Sequence, residues 1–128
     1  MTTMRVDLVS PEKAVWTGEA TYVGARTVAG GIGILAGHEP LLAELAAGVV
    51  LIRPESGEAI EAAVSGGFLS VTFEGVSVLA EVAELRADVD VAAARRDLEE
   101  TRGADADDAE AAARRRSAEA RLRLAGEL

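Results

Sequence analysis

The sequence predicts an all-β body, a sandwich or barrel, followed by a C-terminal antiparallel α-helical hairpin. Three observations carry this. Eleven of the thirteen glycines, all three prolines and all four aromatics lie at or before Gly75. In that part, apolar residues alternate or run in short blocks between turn signals, the pattern of many short strands. After Ala87 the composition changes to Ala, Arg, Asp and Glu, with Leu near the end, and helix caps and stops replace the turns. The division is therefore drawn as a β body over 1–86 and a helical hairpin over 87–128.

Met4-Arg5-Val6-Asp7-Leu8-Val9 alternates apolar and polar residues and stops at Ser10-Pro11. Ala20 to Val28 reads as a second strand, with Gly24 a candidate bulge. Gly33-Ile34-Leu35-Ala36-Gly37-His38-Glu39-Pro40-Leu41-Leu42-Ala43 is too apolar for a solvated loop and too rich in Gly and Pro for a helix or central strand. Gly33 and Gly37 admit backbone angles that other residues resist, and Pro40 pushes Glu39 toward extended geometry. A bent apolar segment of this kind either plugs its own core or meets another protein. Val49 to Arg53 and Ala59 to Val64 flank Pro54-Glu55-Ser56-Gly57, which is hairpin turn chemistry. Gly66-Gly67 precedes a strand from Phe68 to Phe73, and Glu74-Gly75 turns into another from Val76 to Ala80.

Asp88 or Asp90 caps a helix that runs to about Arg102 and is ended by Gly103. Asp105, Asp107 and Asp108 open a second helix running to about Leu124, with Glu110–Arg114 and Glu119–Arg123 as i,i+4 pairs. The short connection makes the pair antiparallel. Its apolar face is thin: Val91, Ala94 and Leu98 on one helix, Ala111, Ala118, Leu122 and Ala125 on the other. An Ala removes one methyl from water, roughly 0.8 kcal/mol, against about 1.5–3 for a Leu or Val. Such an arm packs closely but holds weakly, so it is expected to be movable.

At 128 residues the chain is one domain, or a domain with an appendage, and its apolar share of 49% supplies a core of Val, Leu, Ile and Ala. The absence of cysteine excludes disulfides, thiolate metal sites and thiol nucleophiles. The start shows no secretory signal, and no apolar run approaches the ~20 residues that span a bilayer, so a cytoplasmic, soluble protein is expected. The net charge of −9 argues against nucleic acid as a partner. Residues 87–128 hold eleven acids against eight bases, a near balance that suits solvated helices.

Gly30-Gly31-Ile32-Gly33 lacks the following Lys-Ser or Lys-Thr of a phosphate loop and reads as tight-turn chemistry. His38 is the only histidine, without metal partners or a nucleophile nearby; it is either a structural imidazole or an interface contact. Arg114-Arg115-Arg116 spreads over about 200° of helix and cannot form one basic face. Nothing in the chain assembles an active site.

The bend from Gly33 to Leu42 resembles the signature G-x-L-G-I-L-P-G-H-x-P-L-L of the epsilon subunit of rotary F-type ATP synthases. Val6-Asp7-Leu8-Val9-Ser10-Pro11-Glu12 is similar to that family's first strand and turn. Val64-Ser65-Gly66-Gly67-Phe68-Leu69-Ser70-Val71 is similar to its double-glycine strand, and Val78-Leu79-Ala80-Glu81 to its last. The resemblance covers the whole chain. It implies a flattened β-sandwich of about ten short strands and a C-terminal helical hairpin. It further implies a non-catalytic rotor subunit, without a cofactor of its own, that couples ion-driven rotation to ATP synthesis. The sandwich would bind the gamma subunit and the c-ring, with Gly33, Ile34, Gly37, His38, Glu39, Pro40 and Leu42 at the interface. The helices would reach toward the alpha/beta hexamer and restrain ATP hydrolysis. The chain would lie peripherally at the cytoplasmic face of the cell membrane, held there only through the complex.

Gly31 stands where the family often has Glu or Asp, and Ala36 where it has Pro, so an acidic contact to the rotor ring is missing or moved. Many bacterial members carry I/L-D-x-x-R-A on the first helix, which helps to bind a regulatory ATP. Here the run is Val89-Asp90-Val91-Ala92-Ala93-Ala94, with Ala93 in place of the Arg, so Val89, Asp90, Ala93 and Ala94 form a degenerate motif. Arg96 lies on nearly the same face but about 4.5 Å further along, and does not replace the lost guanidinium. Weak or absent ATP binding is expected, and the shortness of the arm reduces its reach. The rival readings are a free nucleotide sensor whose hairpin closes on ATP, and a small β-sandwich enzyme. The Ala at position 93 counts against the first, and the lack of a nucleophile–base pair against the second.

Overall fold

Seven strands precede two α-helices in the computed structural model, which describes residues 2–128. The strands are β1 (Met4–Val9), β2 (Ala14–Thr27), β3 (Gly30–Leu35), β4 (Leu41–Glu44), β5 (Gly48–Pro54), β6 (Ile60–Thr72) and β7 (Gly75–Leu85). The helices are α1 (Val91–Thr101) and α2 (Ala109–Leu124).

Three strands are long enough to serve two layers. The first half of β2 pairs with β1, from Met4↔Ala20 to Val9↔Ala14, and the second half with β3 and β5. β6 pairs with β5 up to Val64 and with β4 from Phe68 onward. β7 runs antiparallel along β6, and its start lies parallel to β1. One layer thus holds β3 with segments of β2, β5, β6 and β7; the other holds β4 with segments of β6, β7, β1 and β2. The expected ten short strands are ten segments of seven continuous strands. The switch in β6 falls at Gly66 and Gly67, whose φ values are +65° and +106°. A Cβ at Gly67 would lie 2.0 Å from the Leu79 carbonyl oxygen, so only glycine fits there.

Alternation along the strands builds the core between the layers. Val6 and Leu8 of β1, Val23 of β2, Ile34 of β3, Val50 and Ile52 of β5, Leu69 of β6 and Val78 of β7 are all fully or nearly fully buried. Three expectations need correction. The second strand begins at Ala14 rather than Ala20, because Ala14 to Glu19 finds a partner in β1. Gly24 is not a bulge; it pairs with Gly33, and the Tyr22 ring covers both, so a Cβ at either would press on it at 2.9–3.0 Å. The apolar bend also contains two strands, β3 and β4. Each pairs mainly with one neighbour, at a layer edge where Gly and Pro are tolerated.

Asp90, not Asp88, caps α1, its carboxylate accepting from the Ala93 N–H at 3.0 Å. Asp108 caps α2 through the Ala111 N–H, also at 3.0 Å. The helices are antiparallel, since Arg95, Asp97 and Glu100 meet Glu127, Arg121 and Arg114 in reverse order. The two expected i,i+4 pairs do not form. Arg114 reaches across to Asp97 and Glu100, each at 2.9 Å, and Glu119 takes Arg115 instead. Two carboxylates on the facing helix outweigh one exposed partner on the same helix.

Candidate functional site: an apolar end and a helical arm

The segment joining β3 to β4 folds back at Gly37, with φ +87°, where the His38 N–H donates to the Leu35 carbonyl at 3.1 Å. His38 Nδ1 donates to the Glu39 carbonyl at 2.7 Å, so the half-buried imidazole braces the approach to Pro40. Ile34, counted above among the interface residues, is fully buried and belongs to the core; in β3 the alternation turns its neighbour Leu35 outward instead. Leu35 is 62% exposed and Leu42 70%. Gly33, Gly37, Glu39 and Pro40 lie at the surface.

The bend shares its end of the sandwich with the β6–β7 turn, and both line one hollow together with Thr2 to Arg5. At the tip of that turn Phe73 is 92% exposed. On the outer face of the β4–β6–β7–β1 layer, Phe68 stands opposite Leu79, one strand away from Leu42 opposite Ser70. Phe68 and Leu79 are each about half exposed. Sequence reading missed Phe68, Phe73 and Leu79 as surface residues. The signal was available: Phe68 occupies the polar phase of β6, where Ser70 and Thr72 follow it.

At the other end of the chain, α2 lies on the outer face of the opposite layer. Ala120 and Leu124 pack on Ala63, with Val49 and Val89 alongside. That apolar contact is worth on the order of 3–5 kcal/mol, two Ala methyls and one Leu. Polar links supplement it. Arg86 Nε donates to the Leu124 carbonyl at 2.8 Å, and the mostly buried Arg121 donates to Asp97 at 3.0 Å and lies 3.9 Å from Glu84 of β7. Hydrogen bonds from Arg114 and then Arg121 hold the Asp97 carboxyl below its ordinary value of 3.8.

The four positions of the degenerate motif are used structurally. Asp90 is the helix cap, Ala94 is fully buried beneath α1, Ala93 supplies the capped N–H, and Val89 packs beside the arm's docking cluster. Among the described residues no three His, Asp or Glu side chains converge as a metal site, and no helix is long and apolar enough to cross a membrane.

The described fold is a sealed β-sandwich that displays Phe73, Leu42 and Leu35 around one bend and carries a two-helix arm on its opposite layer. The comparisons with known proteins agree. Residues 3–86 match the beta-sandwich domain of the ATP synthase delta/epsilon chain. The ATP synthase epsilon chain of Streptomyces griseus is 48% identical over 120 residues, covering 94% of this chain and 93% of the relative. That of Rhodococcus jostii is 52% identical over 102 residues, covering 79% and 84%. Among solved structures, a chain of the Euglena gracilis mitochondrial ATP synthase (OSCP/F1/c-ring) superposes with a TM-score of 0.73 at 25% identity, covering 99% of this chain and 79% of that one. A chain from the central stalk and c-ring of the Tetrahymena thermophila enzyme gives 0.66 at 15%, covering 97% of each, and supports the fold alone. The chain belongs to the ATP synthase delta/epsilon family. It is a non-catalytic subunit of an F-type ATP synthase, of the epsilon-chain kind.

Proposed function

We propose that the apolar end is the rotor-docking surface and that the helical hairpin is the regulatory arm. Leu35, Gly37, His38, Glu39, Pro40 and Leu42, with Gly33 beside them and Phe73 across the hollow, seat on the gamma subunit and the c-ring. One observation carries this reading: three of the four most exposed large apolar side chains of the body, Phe73, Leu42 and Leu35, gather around one bend, while the fourth, Val28, stands alone at the β2–β3 turn. Residues 1–86 form the assembly unit. Residues 87–128 are seated by a small alanine-lined contact, lift toward the alpha/beta hexamer and restrain ATP hydrolysis there. The complex holds the chain peripherally at the cytoplasmic face of the membrane. Isolated, the chain binds ATP weakly or not at all, since Asp90 is committed to capping and Ala93 offers no guanidinium.

Reconstitution tests this directly. With Leu42→Asp and Phe73→Asp together, the chain should no longer co-purify with gamma and the c-ring, while keeping the wild-type melt. Undiminished recovery of the complex would show that docking occurs elsewhere.

A further inference from the structure

Five of the twelve arginines, Arg26, Arg53, Arg96, Arg116 and Arg123, have no acidic partner among the described residues, in a chain where acids outnumber bases 22 to 13. Three of the five line a single trough of about 770 Å³ between α2 and the outer face of β2, β3 and β5. On its floor the Tyr22 ring covers Gly24 and Gly33, whereas Gly31 is open, with nothing within 4 Å of where a Cβ would stand, so an incoming chain can approach the sheet backbone there. Arg26 rises from β2 with its stem against Gly48, where an added Cβ would sit 3.2 Å from the Arg26 Cβ. Arg116 and Arg123 descend from α2. The one acid lining the trough, Glu119, is already engaged by Arg115 at 3.2 Å.

We propose that this trough is a docking site for an acidic segment of a protein partner, whose carboxylates pair with Arg26, Arg116 and Arg123. Unpaired guanidiniums over an open groove are the complement of carboxylates, which they hold through two parallel hydrogen bonds. The spacing points to a chain rather than a small anion. Arg116 and Arg123 are two helical turns apart, about 10.5 Å along the axis. That matches carboxylates two turns apart on a helix. A nucleic acid is disfavoured by the chain's net charge of −9. Arg26 belongs to the sandwich while Arg116 and Arg123 belong to the arm, so the site exists only while the arm is docked. A segment bound across it clamps the arm in place. Binding does not depend on the apolar end; only the clamping consequence rests on the separable arm proposed above.

The test is an NMR titration of the full chain with a synthetic helical peptide bearing Glu at positions seven apart, alongside its Gln counterpart and a short oligothymidylate. The Glu peptide should shift the amides of Gly24, Gly31, Gly33 and Gly48 and the Nε–H groups of the three arginines saturably. The Gln peptide should not. Arg116→Gln with Arg123→Gln should weaken binding at least tenfold while leaving the remaining amide spectrum in place. Bound peptide should slow hydrogen exchange along α2. No saturable shift, shifts centred on Arg96 instead, or tighter binding of the oligothymidylate would overturn the proposal.

Discussion

Gly67 and Asp97 show how single residues set this molecule. At Gly67 the backbone has φ +106°, and a Cβ would collide with the Leu79 carbonyl at 2.0 Å. Gly67→Ala should therefore cost more than about 2 kcal/mol, read as a lower midpoint in urea, because strain and a steric clash add. Gly37→Ala meets nothing within 4 Å and should cost only the strain of its positive φ, roughly 1–2 kcal/mol. Asp97 acts through charge. Its carboxyl is held below 3.8 by Arg114 and Arg121, so it stabilises the closed hairpin above that pH, and this contribution is lost as pH falls through the lowered value. In Asp97→Asn the Ala94 and Ala118 amide shifts, followed from pH 6 to pH 3, should lose the part of the transition that the wild type shows below about 3.8. Identical titrations would show that the ion pairs do not hold the helices together.

The elements divide by how they are stabilised. The strands seal one continuous core, whereas α2 rests on the sheet through Ala120 and Leu124. Leu124→Ala should cost about 2–5 kcal/mol of arm docking. Hydrogen exchange in α1 and α2 should then rise while β6 and β7 keep their protection; a uniform loss across both would mean the arm and body open as one unit. Much of this level was legible beforehand. Strands β1 and β5 and both helices lie close to where periodicity, caps and Gly stops put them. The stripe Ala120–Leu124 that meets the sheet was not. Alanine carries so little apolar signal that the Ala118–Leu122 stripe and this one cannot be ranked by composition. The edge strands β3 and β4 escaped notice for a related reason: glycine and proline mark breaks in a ladder, and only position at an edge makes them compatible with one.

At the scale of the whole molecule, the apolar end and the arm lie on different surfaces of one sandwich, which allows one to stay seated while the other moves. A chain ending at residue 86 should still show a cooperative melt and still join the complex. ATP hydrolysis by the reconstituted enzyme should rise at least severalfold with that truncation. A truncated chain without a cooperative melt would end the two-part description. Calorimetry with ATP on the isolated full chain should give no tight binding.

Composition, period and breakers by themselves determined that a β body precedes a helical hairpin, and the bend at Gly33 to Leu42 identified the family resemblance. Those features are local, and local chemistry is what a sequence displays. Only the tertiary structure decided that Ile34 faces the core while Leu35 and Leu42 face outward, that Phe73 joins them, and that Arg114 abandons Glu110 for Asp97 and Glu100. These depend on which strand edge or helix face lies opposite, a relation between residues distant in the chain. No window of sequence contains that information.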